Sequence, residues 1–254
     1  MVVRVGSYQK THCTDQIMVY IHSDTDNKMP HHFDAACAWY GALEHGEKVR
    51  LTPIDEVENG KWDGLLRTRL FVGSTQFMET VFSRVGIAVP TLHHMLPDYQ
   101  LTDVSAVMQQ LQNGASLFIK PLATKAFSGF VATAQSVDIL SRLAADTPLL
   151  ARNPFDSVIV SETLCYVHYG HIADARNYAG DFRVSPNWQL ADKWVNDAVD
   201  APVAYTMDLA VLQNGQTVVV EYNDMWAIGN YGIENGLYYQ MLRDRYFEIM
   251  EQTK

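Results

Sequence analysis

The stretch AYTMDLAVLQNGQTVVVEYND, residues 204–224, decides the fold of this chain. Two runs rich in β-branched and apolar residues flank Asn214-Gly215. This dipeptide is the one most typical of a two-residue type I′ hairpin turn, because both central residues of that turn need positive φ. Counting back along both strands from such a turn places Asp208 directly opposite Glu221. The sequence therefore predicts an antiparallel hairpin that carries two carboxylates side by side.

The opposed carboxylates need something to neutralise them. Directly opposed side chains have Cβ atoms about 5 Å apart, and at an effective dielectric constant near 20 two charges there repel by roughly 3 kcal/mol. The neighbouring residues on both faces are apolar, which indicates buried strands. A divalent cation, a shared proton or a basic side chain would each remove the repulsion. Asn223 lies on the face of Glu221, and two carboxylates with an amide oxygen favour Mg²⁺ or Mn²⁺ over zinc.

A longer turn is the alternative structure. It would shift the register by one residue and send Asp208 and Glu221 to opposite faces of the hairpin.

Composition excludes several classes of protein. The chain has 254 residues and a net charge of −10, which argues against a general binder of nucleic acids or anionic membranes. No apolar run approaches the ~18 residues needed to cross a bilayer. The three cysteines are far apart and include no CxxC pair, so we expect no disulfide scaffold and a cytoplasmic location.

Strand-like and helix-like patterns divide the chain near residue 100. Residues 1–100 alternate between the two, with strands expected at 17–22, 49–54 and 70–72, which predicts a small α/β domain with a largely parallel sheet. In residues 101–254 more strands follow one another directly, which predicts an α+β domain.

A magnesium ion held by few protein ligands usually bridges substrate phosphates, so basic residues are expected nearby. The sequence contains neither GxxxxGK[ST] nor GxGxxG. The candidates are Lys120, Lys125 and Arg176. Lys120 ends an apolar strand, and Lys125 lies in a loop with Ser128-Gly129 whose composition is typical of a lid over phosphates. A solvated lysine and an ordinary β-turn are the alternatives.

In this order, the parts resemble the ATP-grasp superfamily. The matching motifs are FIKP with Lys120, the loop KAFSG, VSE ending at Glu162, Asp208, and EYN starting at Glu221. More narrowly, FVGSTQFMETVFSRVG and HIADARNYAGD resemble a divergent clade of phage and bacterial ATP-grasp proteins. That clade also holds the eukaryotic cell-division-cycle factor that helps assemble a translation initiation complex.

The resemblance implies an ATP-grasp domain with two lobes and the nucleotide between them, preceded by the small α/β domain. The catalytic residues that it implies are Lys120, Arg176 and Glu221. The nucleotide-binding residues that it implies are Lys120, Lys125, Ser128, Gly129, Leu150, Glu162 and Arg176, with the strand near Leu149 to Arg152 as the hinge beside adenine. The ligands that it implies for one or two Mg²⁺ are Asp208, Glu221 and Asn223.

The implied activity is that of an ATP- and Mg²⁺-dependent ligase. It would join a carboxylate, on a small molecule or a peptide, to an amine through an acyl phosphate. One position departs from the motif, because Leu164 stands where the E-x-R pattern has arginine. Arg176 is the candidate replacement. Two alternatives stay open: an ATP-binding assembly factor with little catalysis, and a hydrolase that uses Asp208 and Glu221 as paired acid and base.

Overall fold

The computed structural model describes residues 17–26, 28–96, 98–122 and 127–251. The strands are β1 (Met18–His22), β2 (Lys48–Thr52), β3 (Leu70–Val72), β4 (Gln100–Asp103), β5 (Leu117–Pro121), β6 (Phe130–Ala132), β7 (Pro148–Arg152), β8 (Ile159–His168), β9 (His171–Gly180), β10 (Ala204–Leu212) and β11 (Thr217–Asp224). The helices are α1 (Phe33–Glu44), α2 (Ile54–Glu58), α3 (Thr75–Val85), α4 (Val104–Gln112), α5 (Val137–Leu140), α6 (Trp188–Asp197) and α7 (Asn235–Glu251). None of these helices is long and apolar enough to span a membrane.

The first unit comprises the described residues up to Val89 together with those from Glu234 onward. Its sheet has the order β2-β1-β3 with both pairs parallel, which confirms the predicted small α/β domain. The strand expected over 49–54 ends earlier, because α2 begins directly after Pro53. The expected helix start is confirmed at Ser74, whose side chain accepts a hydrogen bond from the Phe77 N–H.

The C-terminal helix α7 belongs to this first unit, so the single boundary expected near residue 100 differs from the observed division. The reason is close packing of α7 on α1. A Cβ atom added at Gly41 would lie 2.1 Å from the Asn235 carbonyl oxygen, so only glycine permits this approach.

The second unit, Pro90–Ile233, contains two four-stranded antiparallel sheets. In the first sheet, β4-β7-β5-β6, residues such as Ile119 and Leu149 pack with Leu111 of α4 in an apolar core. In the second sheet, β11-β10-β8-β9, one face packs with Ala191 and Val195 of α6. The opposite face of the second sheet is therefore free to carry polar side chains.

The hairpin of β10 and β11 confirms the predicted register at the two acids but not the predicted turn. Asp208 lies opposite Glu221, as expected. The turn, however, has three residues between Leu212 and Gln216, with positive φ at Gly215 alone. That longer turn moves the register by one, and a β-bulge at Val220 moves it back before Glu221.

Candidate functional site

The hairpin places a polar cluster on the face away from α6. Asp208 is only 5% exposed. The Asn223 amide nitrogen donates hydrogen bonds to Asp208 Oδ2 at 3.1 Å and to Glu221 Oε1 at 3.0 Å. The second oxygen of Asp208, Oδ1, is buried and has no hydrogen-bond partner. The cluster therefore holds two carboxylates and an amide with one oxygen unsatisfied.

Lys120 reaches this cluster from the other sheet of the same unit. It lies near the end of β5, and its Nζ donates to Glu221 Oε2 at 2.8 Å. The ammonium also lies 5.1 Å from the ring centroid of Tyr99. The sequence predicted both the lysine-tipped strand and the acid pair, and the structure brings them into direct contact.

The two carboxylates titrate in opposite directions. Burial, and then the negative charge of Glu221, raise the pKa of Asp208 well above its ordinary value. Burial alone would raise the pKa of Glu221 too, but the charge of Lys120 and the hydrogen bonds from Lys120 and Asn223 outweigh it, so that this pKa is lowered. Without a bound cation, Glu221 carries the charge and Asp208 keeps a proton most readily.

A cross-strand row extends from the acid pair over the whole sheet. Glu221 faces Asp208, Asp208 faces Leu164 on β8, and Leu164 faces Arg176 on β9. Directly opposed residues of antiparallel strands share a face, so all four belong to the same side. Leu164 is 1% exposed, while the Arg176 guanidinium pairs with Asp174 at 2.6 Å and keeps a buried Nε without a partner. The arginine missing at position 164 thus has a neighbour one strand away.

Glu162 lies beside this row. It faces Ala210, which shares its side of β10 with Asp208, and it accepts a hydrogen bond of 2.7 Å from the Tyr178 hydroxyl. Tyr178 is the extra residue of a bulge in β9. Burial and the charge of Asp208 raise the pKa of its hydroxyl, so it stays protonated as a donor. The sequence did not indicate a role for Tyr178 beyond its place in the matched segment.

The remaining predicted residues lie along the first sheet. Leu150 is buried directly opposite Lys120 on β7. Ser128 and Gly129 are exposed between β5 and β6, and a Cβ at Gly129 would lie 2.7 Å from the Phe118 ring. Lys125 lies outside the described residues.

Within the described ranges, no group of three or more His, Cys, Asp or Glu side chains is arranged to hold a metal ion. The acid pair is a different kind of candidate, because its third donor is the Asn223 amide.

Comparisons with known proteins agree with this architecture. A sequence model for an ATP-grasp domain, the second family of one clade within that superfamily, matches residues 100–241, more than half of the chain. No curated protein sequence matches it. Among solved structures, D-cycloserine synthetase DcsG is 12% identical with a TM-score of 0.57, covering 91% of this chain and 99% of that one.

Two further structures show the same likeness. N5-carboxyaminoimidazole synthetase from Staphylococcus aureus, complexed with ADP, is 10% identical with a TM-score of 0.55, covering 91% and 78% of the two chains. The ligase PsnB, complexed with precursor peptide PsnA2 and AMPPNP, is 14% identical with a TM-score of 0.51, covering 93% and 100%. At these identities the likeness shows the fold alone.

Proposed function

Because this chain belongs to the ATP-grasp superfamily, in the clade family whose model matches residues 100–241, we propose that it is an ATP- and Mg²⁺-dependent carboxylate–amine ligase. The observation that carries this proposal is the 2.8 Å contact between Lys120 of one sheet and Glu221 of the other. It puts a phosphate-binding cation and a metal-binding carboxylate in one place.

The residues of the cluster fit Mg²⁺. All the donors are oxygens once the Asn223 amide is rotated by half a turn, and hard cations prefer such donors. The buried Oδ1 of Asp208 has no partner within the protein. Asp208, Glu221 and Asn223 would hold the ion, which when bound would neutralise phosphate charge during phosphoryl transfer.

The basic and loop residues would bind the nucleotide. Lys120 would contact the phosphates, and its ion pair with Glu221 keeps the ammonium charged and aimed at the cluster. Lys125 with Ser128 and Gly129 would close over the phosphates. Glu162, held by Tyr178, and Leu150 would border the rest of ATP.

Arg176 would take the place of the arginine that position 164 lacks. It lies in the same cross-strand row as the acid pair, and its buried Nε is unsatisfied. A guanidinium can bind phosphate oxygens with two parallel hydrogen bonds. Its ion pair with Asp174 would orient it.

The reaction would proceed in two steps. A substrate carboxylate oxygen attacks the γ-phosphorus of ATP in line, which forms an acyl phosphate and releases ADP. An amine then attacks the acyl carbon, and the carbon–oxygen bond to phosphate breaks, which yields an amide, phosphate and a proton. Lys120 and Arg176 would stabilise the charge that develops on the phosphoryl oxygens, since positioning and electrostatics supply most of the catalysis in phosphoryl transfer.

Calorimetry and product assays test the proposal. We expect MgATP to bind to the wild-type protein, and ADP and phosphate to appear with the correct carboxylate–amine pair. Lys120→Met should weaken ATP binding, whereas Lys193→Met, which removes only an exposed lysine, should not. Absence of ATP binding in the presence of Mg²⁺ would remove the proposal.

The role of Arg176 has a sharper readout. Arg176→Met should lower kcat by about 10²-fold or more, the effect of removing one transition-state donor, while the affinity for ATP changes much less. Arg183→Met removes an arginine paired only with exposed Asp181 and serves as the control. Equal kcat in Arg176→Met and wild type would contradict the role.

Leu164 favours a second candidate function. A chain without the motif arginine could bind ATP and clamp a protein partner without turnover, as an assembly factor. ATP binding with no ADP release across broad substrate panels would support this function. Activity that ignores both ATP and EDTA would instead support the paired-acid hydrolase.

A further inference from the structure

The second unit contains a large cavity apart from the acid pair. Its volume is about 1370 Å³, and its walls include α6, the segment after β7 and part of β11. Tyr222 is in the wall, and it faces Met207 in the core on the α6 side of the sheet. Neither Lys120 nor Asp208 lines this cavity. It is larger than the roughly 300–1,000 Å³ typical of small-molecule pockets.

Arg152 lines this cavity and has no anionic partner in the described part of the chain. It is the last residue of β7 and is only 9% exposed. Its guanidinium lies over aromatic rings, 3.7 Å from the centroid of Phe155 and 5.3 Å from that of Tyr99. Its Nε is buried without a hydrogen-bond acceptor. Aromatic faces attract a cation but do not accept the guanidinium's in-plane hydrogen bonds.

Other well-packed arginines of the protein are paired. Arg245 is 5% exposed and donates to Glu248 Oε2 at 2.7 Å. Arg176 donates to Asp174. Burying a charge without a partner is unfavourable. Arg152 therefore indicates that an anion from outside the chain completes the site.

The charge of the cavity selects the kind of anion. Four aspartates line it along with Arg152, namely Asp98, Asp156, Asp197 and Asp200. A polyanion such as a triphosphate would meet more negative than positive charge there. A ligand with a single carboxylate and one or more cationic groups matches both signs, and Trp194 and Phe155 add apolar surface.

We propose that this cavity binds a short basic peptide, with a free carboxylate at Arg152 and cationic groups facing the aspartates. The volume suits a few residues better than a single amino acid. This inference goes beyond the ligase reaction and does not depend on it, because binding would be measured without nucleotide.

The test uses the tripeptide Gly-Lys-Lys with a free carboxyl terminus and its C-terminal amide. In calorimetry with EDTA and no ATP, we expect the acid to bind roughly tenfold or more tightly than the amide, as for a hydrogen-bonded ion pair. Arg152→Gln should remove this difference. Arg142→Gln, at an exposed arginine, should keep it.

A stability measurement separates binding from a structural role. If Arg152 awaits a ligand, Arg152→Met should leave the melting temperature of the free protein unchanged or higher, whereas Arg245→Met should lower it. No binding of the acid at millimolar concentrations, or equal binding of acid and amide, overturns the proposal. Competitive displacement of the tripeptide by AMPPNP overturns the separate site, because both ligands would then share one cavity.

Discussion

The variant Asp208→Asn should make the metal-free protein more stable while abolishing its response to Mg²⁺. Asp208 is almost fully buried, faces Glu221 and leaves one oxygen unsatisfied. Asparagine keeps the size of the side chain and removes the negative charge. The variant therefore relieves a repulsion that the wild-type protein tolerates for the sake of a cation.

The magnitude follows from the geometry and from pH. Two charges about 5 Å apart repel by roughly 3 kcal/mol at an effective dielectric constant near 20. Lys120 at 2.8 Å from Glu221 compensates part of this, which leaves about 1–3 kcal/mol. The raised pKa of Asp208 sets the sign, because the folded protein holds a proton that the unfolded chain loses. Wild-type stability therefore falls as pH rises from the unfolded pKa to the folded one, and the variant escapes this loss.

Chemical denaturation of both proteins, in EDTA and then in excess Mg²⁺, is the assay. At about pH 8 in EDTA, the free energy of unfolding of Asp208→Asn should exceed that of wild type by about 1–3 kcal/mol, and the gap should shrink toward pH 5. Excess Mg²⁺ should stabilise the wild type and leave the variant unchanged. A variant that is less stable in EDTA, or that responds equally to Mg²⁺, would refute the reasoning.

Three further substitutions test particular contacts. Lys120→Met should raise the pKa of Glu221, observable by NMR titration, because its strongest neutralising partner is lost; an unchanged pKa would contradict the ion pair. Gly215→Ala should cost about 1–2 kcal/mol in urea unfolding, because φ there is +84° while the added Cβ meets no other atom. Gly64→Ala, whose Cβ also meets no atom but whose φ is not positive, is the control and should be close to neutral. Gly41→Ala should destabilise by more than about 2 kcal/mol, since its Cβ would overlap the Asn235 carbonyl; a neutral result would contradict the packing of α7 on α1.

The sequence predicted those parts of the site that depend on local pattern. Apolar and β-branched residues around Asn214-Gly215 indicated the hairpin, and the structure confirms that Asp208 faces Glu221. The bulge was not predictable, because Val220 is chemically the same as Val218 and Val219 before it. Two deviations from the simplest hairpin cancel, so the expected pairing is present with a different turn.

Contacts between distant elements were beyond the reach of local pattern. The Lys120–Glu221 ion pair joins residues 101 positions apart on two sheets. The strand β9 also escaped prediction, because its sequence HIADARNYAG has few β-branched residues and most of it is only half-buried or exposed. Its pairing comes from β8, whose apolar residues supply the strand signal for both.

The cross-strand row explains how the sheet can keep a cation near the acid pair although position 164 is leucine. Neighbouring strands lie about 4.8 Å apart, so Arg176 begins one strand further from Asp208 than an arginine at 164 would. A guanidinium on its long side chain spans such a distance, provided that nothing bulky rises between. Leu164 is buried and short, so it forms an apolar floor below that path rather than a barrier. Replacing Leu164 with arginine should therefore place two guanidinium groups in competition, and calorimetry with AMPPNP should show weaker rather than restored phosphate binding.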